Sequence, residues 1–447
     1  MRKLGFGIIG LVLVATIYYF TVGSAQITEE MKIRVNTELN MLEQNGFSIQ
    51  EREVKAKEEH FILSFDDPQK IMKFLKQQGS KIALEDAKSL VGTKIGMDLQ
   101  YLNDSYSALS VDIYPLNLPD SISTIQDLEK EDKELIKQLN NMLKRKALLV
   151  HVDFNKLLSS FKGYIKDIHE NFKLETIANI DITGFTFEGT FKDDRINTLI
   201  QNIKNITIKS GDEFNIALND LQSSYTLTGK SIYDSSYTYK IADLKGTAKN
   251  DSEIFSLTIH NIEGDNKTSV TNDLASNKMT FKMSDLEMAE ANKKTKLTHT
   301  TFSFNVENLD MNILKQLEEV DMKDEAETNR LIQALISKGI TMEIPSLEVK
   351  KMEYLGQTMD GFSLTSLFEV NKSASLAAIQ ANPFTALEAI NIKTKLTISD
   401  ALFTIISQDP RAIMLAMVIQ PKAINGKKVY ELEIKDGKLT VNGKPMM

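Results

Sequence analysis

The chain has 447 residues, with 53 basic and 61 acidic side chains and a net charge of −8. It contains no cysteine, which excludes disulfides, thiolate metal sites and a catalytic thiol. An acidic chain without a clustered basic run is a poor partner for nucleic acid, whose phosphates need grouped cations.

After Arg2 and Lys3 no charged residue occurs before Glu29, and Leu4–Val22 is almost wholly apolar. That stretch approaches the roughly 20 residues needed to cross a bilayer at about 1.5 Å rise. Tyr18 and Tyr19 suit an interfacial aromatic belt. A cleaved leader would find small residues at Gly23 and Ala25, but its apolar region normally stops at about 15 residues. The expectation is a signal-anchor transmembrane segment over residues 1–27, with Arg2 and Lys3 inside and the body exported.

Residues 28–120 read as an N-terminal α+β region. The stripe Met31, Val35, Leu39 and Leu42 predicts a helix over 28–45 that Gly46 stops. Two strands follow within 47–65. Asp67 then Pro68 opens a short helix, and strands return over 97–114. Residues 121–174 read as a helical pair. The first helix lies within 126–146. The second is capped by Asp153 and carries Phe154, Leu157, Leu158, Phe161, Ile165, Ile168 and Phe172 at helical spacing.

From about residue 175 the period becomes 2 and a repeat emerges. FNIALNDL (214–221), YTYKIADL (237–244), FSLTIHNI (255–262), MTFKMSDL (279–286) and FSFNVENL (302–309) share one form. Each has three apolar residues at alternate positions, a polar residue, Asp or Asn, then an aliphatic residue. Asp and Asn favour local backbone bonds and turns, so each unit is expected to be a strand ended by that residue. Runs such as SSYTLTG and KTSVTND supply the return strands. About ten strands over 175–309 would form an antiparallel meander, too broad to stay flat, with one apolar face. The candidate apolar groove comprises Phe214, Ile216, Leu218, Tyr239, Ile241, Leu257, Ile259, Phe281, Met283, Phe304 and Val306. Such a face must be covered by helices, by a partner chain or by lipid.

A helical insert over 310–339 follows, then a C-terminal β-rich region with short helices over 340–447, in which AIMLAMVI (412–419) reads as a buried helix. The expected fold class is α+β and predominantly antiparallel β: an N-terminal transmembrane helix, then a long curled meander packed with amphipathic helices. The tail YELEIKDGKLTVNGKPM (430–446) holds two hairpin signals, Asp436-Gly437 and Asn442-Gly443. Together with the anchor and the repeats, this tail resembles the YdgA-like family of Gram-negative envelope proteins. Membership implies an inner-membrane protein with a periplasmic body and no established activity. A looser resemblance in architecture, to the AsmA-like proteins, implies lipid handling by a grooved sheet.

Chemistry-bearing motifs are absent. His60, His151, His169, His260 and His299 are scattered, with no pair at helical ligand spacing, and each reads as structural or exposed. There is no phosphate loop, dinucleotide fingerprint or nucleophile elbow, and no calcium loop. No cofactor, metal or catalytic residue is expected. The sequence favours a non-enzymatic structural or interaction role in the envelope, with the membrane and either envelope proteins or further copies as partners. The alternative is a lipid-binding or lipid-transfer protein. A hydrolase assembled from Ser, Asp and a lone His is the remotest reading.

Overall fold

The computed structural model describes residues 29–446 apart from 78–81, 103–105, 124–129, 174–176, 194, 232, 251–252, 292, 321–323, 383 and 410–418. The expected membrane segment at 1–27 and nearly all of the AIMLAMVI run lie outside the described residues. Among the described residues no helix is long and apolar enough to cross a membrane. The chain divides into two compact units, Met1–Ser224 and Tyr225–Met447.

Unit 1 opens with α1 (Glu29–Gln44), β1 (Phe47–Val54), β2 (Glu58–Phe65), α2 (Pro68–Gln77) and α3 (Leu84–Ser89). Next come β3 (Lys94–Tyr101), β4 (Ser107–Pro115), α4 (Asp120–Ser123) and α5 (Lys130–Lys144). Asp67 starts α2 as expected: its Oδ1 accepts from the backbone N–H of Gln69 and of Lys70, both at 3.1 Å. The apolar stripes of α1–α3 (Val35, Leu39, Ile71, Phe74, Leu75, Ala87) pack on alternate residues of the sheet (Phe61, Leu63, Met97, Leu99, Val111, Ile113). Burying such side chains contributes about 1.5–3 kcal/mol each, and this is the main core.

The second half of the expected helical pair is corrected by the structure. Residues 150–173 form three strands, β5 (Val150–Asn155), β6 (Ser160–Ile165) and β7 (Ile168–Lys173). The apparent helical spacing arises from two interruptions, at 156–159 and 166–167, each of which resets a period-2 pattern. Phe161 and Ile165 on β6, and Ile168 and Phe172 on β7, are buried at alternate positions, while Leu157 is 60% exposed. Asp153 therefore caps nothing; it lies within β5.

β8 (Ile177–Thr183), β9 (Phe185–Lys192), β10 (Arg195–Ser210) and β11 (Phe214–Leu227) complete the unit, which ends within β11. The antiparallel order is β1-β2-β3-β4-β5-β6-β9-β10. β7 and β8 prolong β6 and β9 beyond a shared break, and β8 also pairs with β10. At that break Gly184 adopts φ +66° and donates its N–H to Asp167 Oδ1 at 2.9 Å.

Unit 2 contains β12 (Ser235–Asn250), β13 (Glu253–Thr271), β14 (Leu274–Glu290) and β15 (Lys293–Asp310), then α6 (Met311–Glu319) and α7 (Glu325–Ile336). β16 (Thr341–Tyr354), β17 (Gln357–Val370), α8 (Leu376–Ala381), α9 (Thr385–Ala389), β18 (Ile390–Ser399) and α10 (Asp400–Ile406) follow. The chain finishes with β19 (Lys422–Ile424), β20 (Lys427–Lys435), β21 (Lys438–Val441) and β22 (Lys444–Pro445). Strands β12 to β18 pair in sequence, β18 pairs with β20, and β19 and β21 share the far side of β20. The two tail turns form as expected, with positive φ at Asp436, Gly437, Asn442 and Gly443. Short pieces rich in lysine thus blunt this edge against further strand pairing.

The meander differs from expectation in strand length. Each repeat unit lies inside one strand of 14 to 19 residues, and the expected return strands are continuations of β11 and β13. The Asp or Asn at the seventh place does not end the strand.

Candidate functional site

The predicted groove residues fall on β11 (Phe214, Ile216, Leu218), β12 (Tyr239, Ile241), β13 (Leu257, Ile259), β14 (Phe281, Met283) and β15 (Phe304, Val306). The first three belong to unit 1 and the other eight to unit 2. Within unit 2, register aligns them into rows. Tyr239, Gly264, Phe281, Phe302, Leu347, Leu364, Leu396 and Tyr430 stand opposite one another in turn, across eight strands. A second row runs Leu244, Ile259, Leu286, Leu297, Met352, Met359. Gly264 makes room in the first row, because a Cβ there would overlap the Tyr239 ring.

The two rows are out of phase along each strand: on β12, Tyr239 and Ile241 are followed by Leu244, three residues on. Strict alternation would put the rows on opposite faces. At β16–β18 and β20 they share one face instead, because a single cluster around Met359, Ile398 and Leu402 takes in Met352 and Tyr354 from one side of the break and Phe362, Leu396 and Tyr430 from the other. The phase is reset between the rows, where Asn261 on β13 and His299 on β15 take φ near +50°. Asn tolerates that left-handed conformation better than most residues. Asp220, in the corresponding place of the first repeat, does the same. Three of the five seventh positions, Asp220, Asn261 and Asn308, take positive φ, while Asp243 and Asp285 stay in regular register opposite His260 and Thr298.

The face is only partly covered. α6 packs on β15, and α9 and α10 pack on β18 and β20. Leu257, Ile259, Phe281, Met283, Phe304 and Val306 are half-buried, while Tyr237 and Phe255 remain 41% and 42% exposed.

The polar face of unit 1 carries an arrangement that sequence reasoning missed. His60, Asp98, Asp112, His151 and Tyr164 are directly opposite one another on β2, β3, β4, β5 and β6. His60 Nδ1 lies 2.6 Å from Asp98 Oδ1, and His151 Nδ1 lies 2.6 Å from Asp112 Oδ1. His151 Nε2 is 3.3 Å from Asp153 Oδ1, and its ring stacks on Tyr164 at 4.9 Å. Lys146, just after α5, reaches Asp98 at 3.1 Å and sits 3.6 Å from the Tyr114 ring centroid. Two more histidines repeat the theme: His169 bonds Asp181 and His260 bonds Asp243, each across a register pair. His260 also faces Asp285 on its other side.

The electrostatics follow from these contacts. The hydrogen bond to Asp112, aided by Asp153, raises the His151 pKa against the opposing effect of burial. Burial acts to raise Asp98, but its bonds from His60, Lys146 and Tyr114 outweigh this and hold it below the usual carboxylate range. Burial and the Asp98 carboxylate push the Tyr114 phenol upward.

Ser110, Asp153, His151 and Asp112 form a chain, but in the wrong order for nucleophilic catalysis. Ser110 Oγ donates to Asp153, not to an imidazole, so no imidazole is placed to take its proton. Among the described residues no group of three or more His, Asp or Glu side chains is arranged to hold a metal ion. No protein-family model matches the chain, and neither a curated protein nor a solved structure matches it.

Proposed function

We propose that this chain is a non-catalytic cell-envelope protein, tethered to the inner membrane by residues 1–27, whose second unit binds acyl chains along its apolar face. The supporting observation is the eight-strand row from Tyr239 to Tyr430, lying on a face that stays half-exposed over β12–β14. From Tyr239 to Leu347 the row crosses five strands at about 4.8 Å spacing, about 19 Å in all, which suits a stretch of acyl chain, while its far end, Leu396 and Tyr430, packs against the cluster around Leu402. Each buried CH₂ contributes about 0.8 kcal/mol, so a chain of this kind needs no dedicated head-group contact. Between its two terminal tyrosines the row holds only glycine, phenylalanine and leucine, which favours a hydrocarbon occupant over a polar one.

Purification of the full chain from its native membrane, followed by mass spectrometry, is expected to reveal co-purifying lipid. A diazirine fatty acid is expected to crosslink to β12–β14. Ile241→Trp or Ile259→Trp should abolish that crosslink with little loss of stability, because an open face tolerates size where a sealed core would lose about 1–3 kcal/mol by overpacking. Wild-type protein that carries no lipid and takes no crosslink would remove this reading and leave a purely structural or self-associating role.

A further inference from the structure

The acyl-binding reading leaves the polar row of unit 1 unused. We propose that this row is a proton-operated clasp, in which protonated His151 ties β4 to β5, the strand fed by α5, and loosens that tie by losing its charge when the imidazole becomes neutral. The argument starts from charge. Asp98 and Asp112 are directly opposite on neighbouring strands, a placement that repels unless each has a counter-charge. Lys146 serves Asp98, which also bonds the His60 ring. Asp112 meets His151, and among the described residues no lysine or arginine stands against it.

The groups facing the His151 ring come from every neighbouring element. β4 contributes Asp112 and Ser110, β5 itself contributes Asp153, and β6 contributes the stacked Tyr164. Lys162 of β6 is opposite Asp153, but its ammonium lies 4.6 Å from the centroid of the Tyr106 ring. Asp98 and His60 complete the row beyond Asp112, and Lys146 arrives from the segment after α5. A neutral His151 therefore leaves Asp112 and Asp153 close together with no cation between them. The location matters because β5 begins only a few residues after α5, and Lys146 anchors that connection on Asp98 and Tyr114.

The sign follows from linkage. The Asp112 bond raises the folded-state pKa of His151 above the ordinary value of about 6.5. The stabilisation is complete below that ordinary value and is lost as pH rises through the raised one. In the full chain labelled at histidine, the His151 ring signals, assigned by loss in His151→Gln, are expected to titrate with a midpoint above about 6.5. Asp112→Asn should lower that midpoint, and Asp153→Asn should lower it less. The urea midpoint of the wild type should fall between pH 6 and 8.5, with a shallower fall in His151→Gln. A wild-type midpoint at or below the ordinary value would overturn the clasp even if every variant failed to fold. So would an unchanged midpoint in Asp112→Asn, or an unaltered pH slope in His151→Gln.

Discussion

The two units use the same antiparallel meander and differ in what covers it. In unit 1, Phe47, Phe61, Phe65, Phe74, Phe154, Phe161, Phe172 and Phe187 are all buried. Among the described residues of unit 2 no phenylalanine is buried, although Phe255, Phe281, Phe302, Phe304, Phe362 and Phe368 occupy equally regular strands. The difference is one of helix supply and strand length. α1–α3 lie over strands of 8 or 9 residues, so short helices cover their whole length. Strands of 16 to 19 residues extend about 50 Å or more, which the 9- and 12-residue helices α6 and α7 cannot cover at about 1.5 Å per residue. An apolar face is thus a core in one unit and a surface in the other.

The sharpest test of that contrast is a matched pair of truncations. Phe161 is 1% exposed and packs among Phe154, Phe187 and Phe191, so Phe161→Ala is expected to cost about 3–5 kcal/mol in urea denaturation. Phe281→Ala, on the half-exposed row, should cost about 1–2 kcal/mol. Equal losses would mean that the second face is as well sealed as the first.

The phase reset is tested next. Asn261→Val places a β-branched residue at φ +50° and should cost about 1–2 kcal/mol. Asn261→Gly should stay close to wild type, because glycine enters this region freely. If both are neutral, the left-handed residue is incidental and the shared face must be maintained by other means.

A smaller effect is expected where unit 2 does fix a helix. Asp310 caps α6, accepting from the N–H of Asn312 at 3.0 Å and of Ile313 at 3.1 Å, and meets Lys338 at 3.1 Å. Asp310→Ala should cost about 1 kcal/mol in the same denaturation assay. Burial acts to raise the Asp310 pKa, but the Ile313 N–H and Lys338 overcome it, and the net shift is downward. The carboxylate's contribution is therefore present above about pH 3.9 and disappears as pH falls through the lowered value.

The smallest effect belongs to the exposed ion pairs of the polar face. Lys296 reaches Glu287 at 2.9 Å and Asp285 at 3.3 Å, yet Lys296→Met should leave the melting temperature unchanged within error, because solvent screens such pairs. A clear drop would show that this face carries structural weight comparable to the row in unit 1.

How far these features were legible depends on whether they arise locally or across long stretches of chain. The caps at Asp67 and Asp310, the hairpins at Asp436-Gly437 and Asn442-Gly443, and the apolar positions of the repeats depend on neighbours a few residues away. The cross-strand pair Asp243–His260 was within reach, since β12 and β13 are consecutive and both residues lie equally far from the facing ends Asn250 and Glu253. His60–Asp98 was not, because α2 and α3 intervene and nothing local sets the register between their strands. The false helix over 154–172 arose because two strand breaks mimicked a 3.6-residue period.

Local pattern by itself determined that this is a predominantly antiparallel protein of one-sided strands. Only the tertiary structure decided that the seventh-place Asp and Asn lie inside the strands, that both apolar rows share a face at β16–β18 and β20, and that four histidines meet aspartates across the sheet. The reason is physical. Alternation and turn propensity are set by side chains within a few residues, whereas register, phase and helix coverage are settled where distant strands meet.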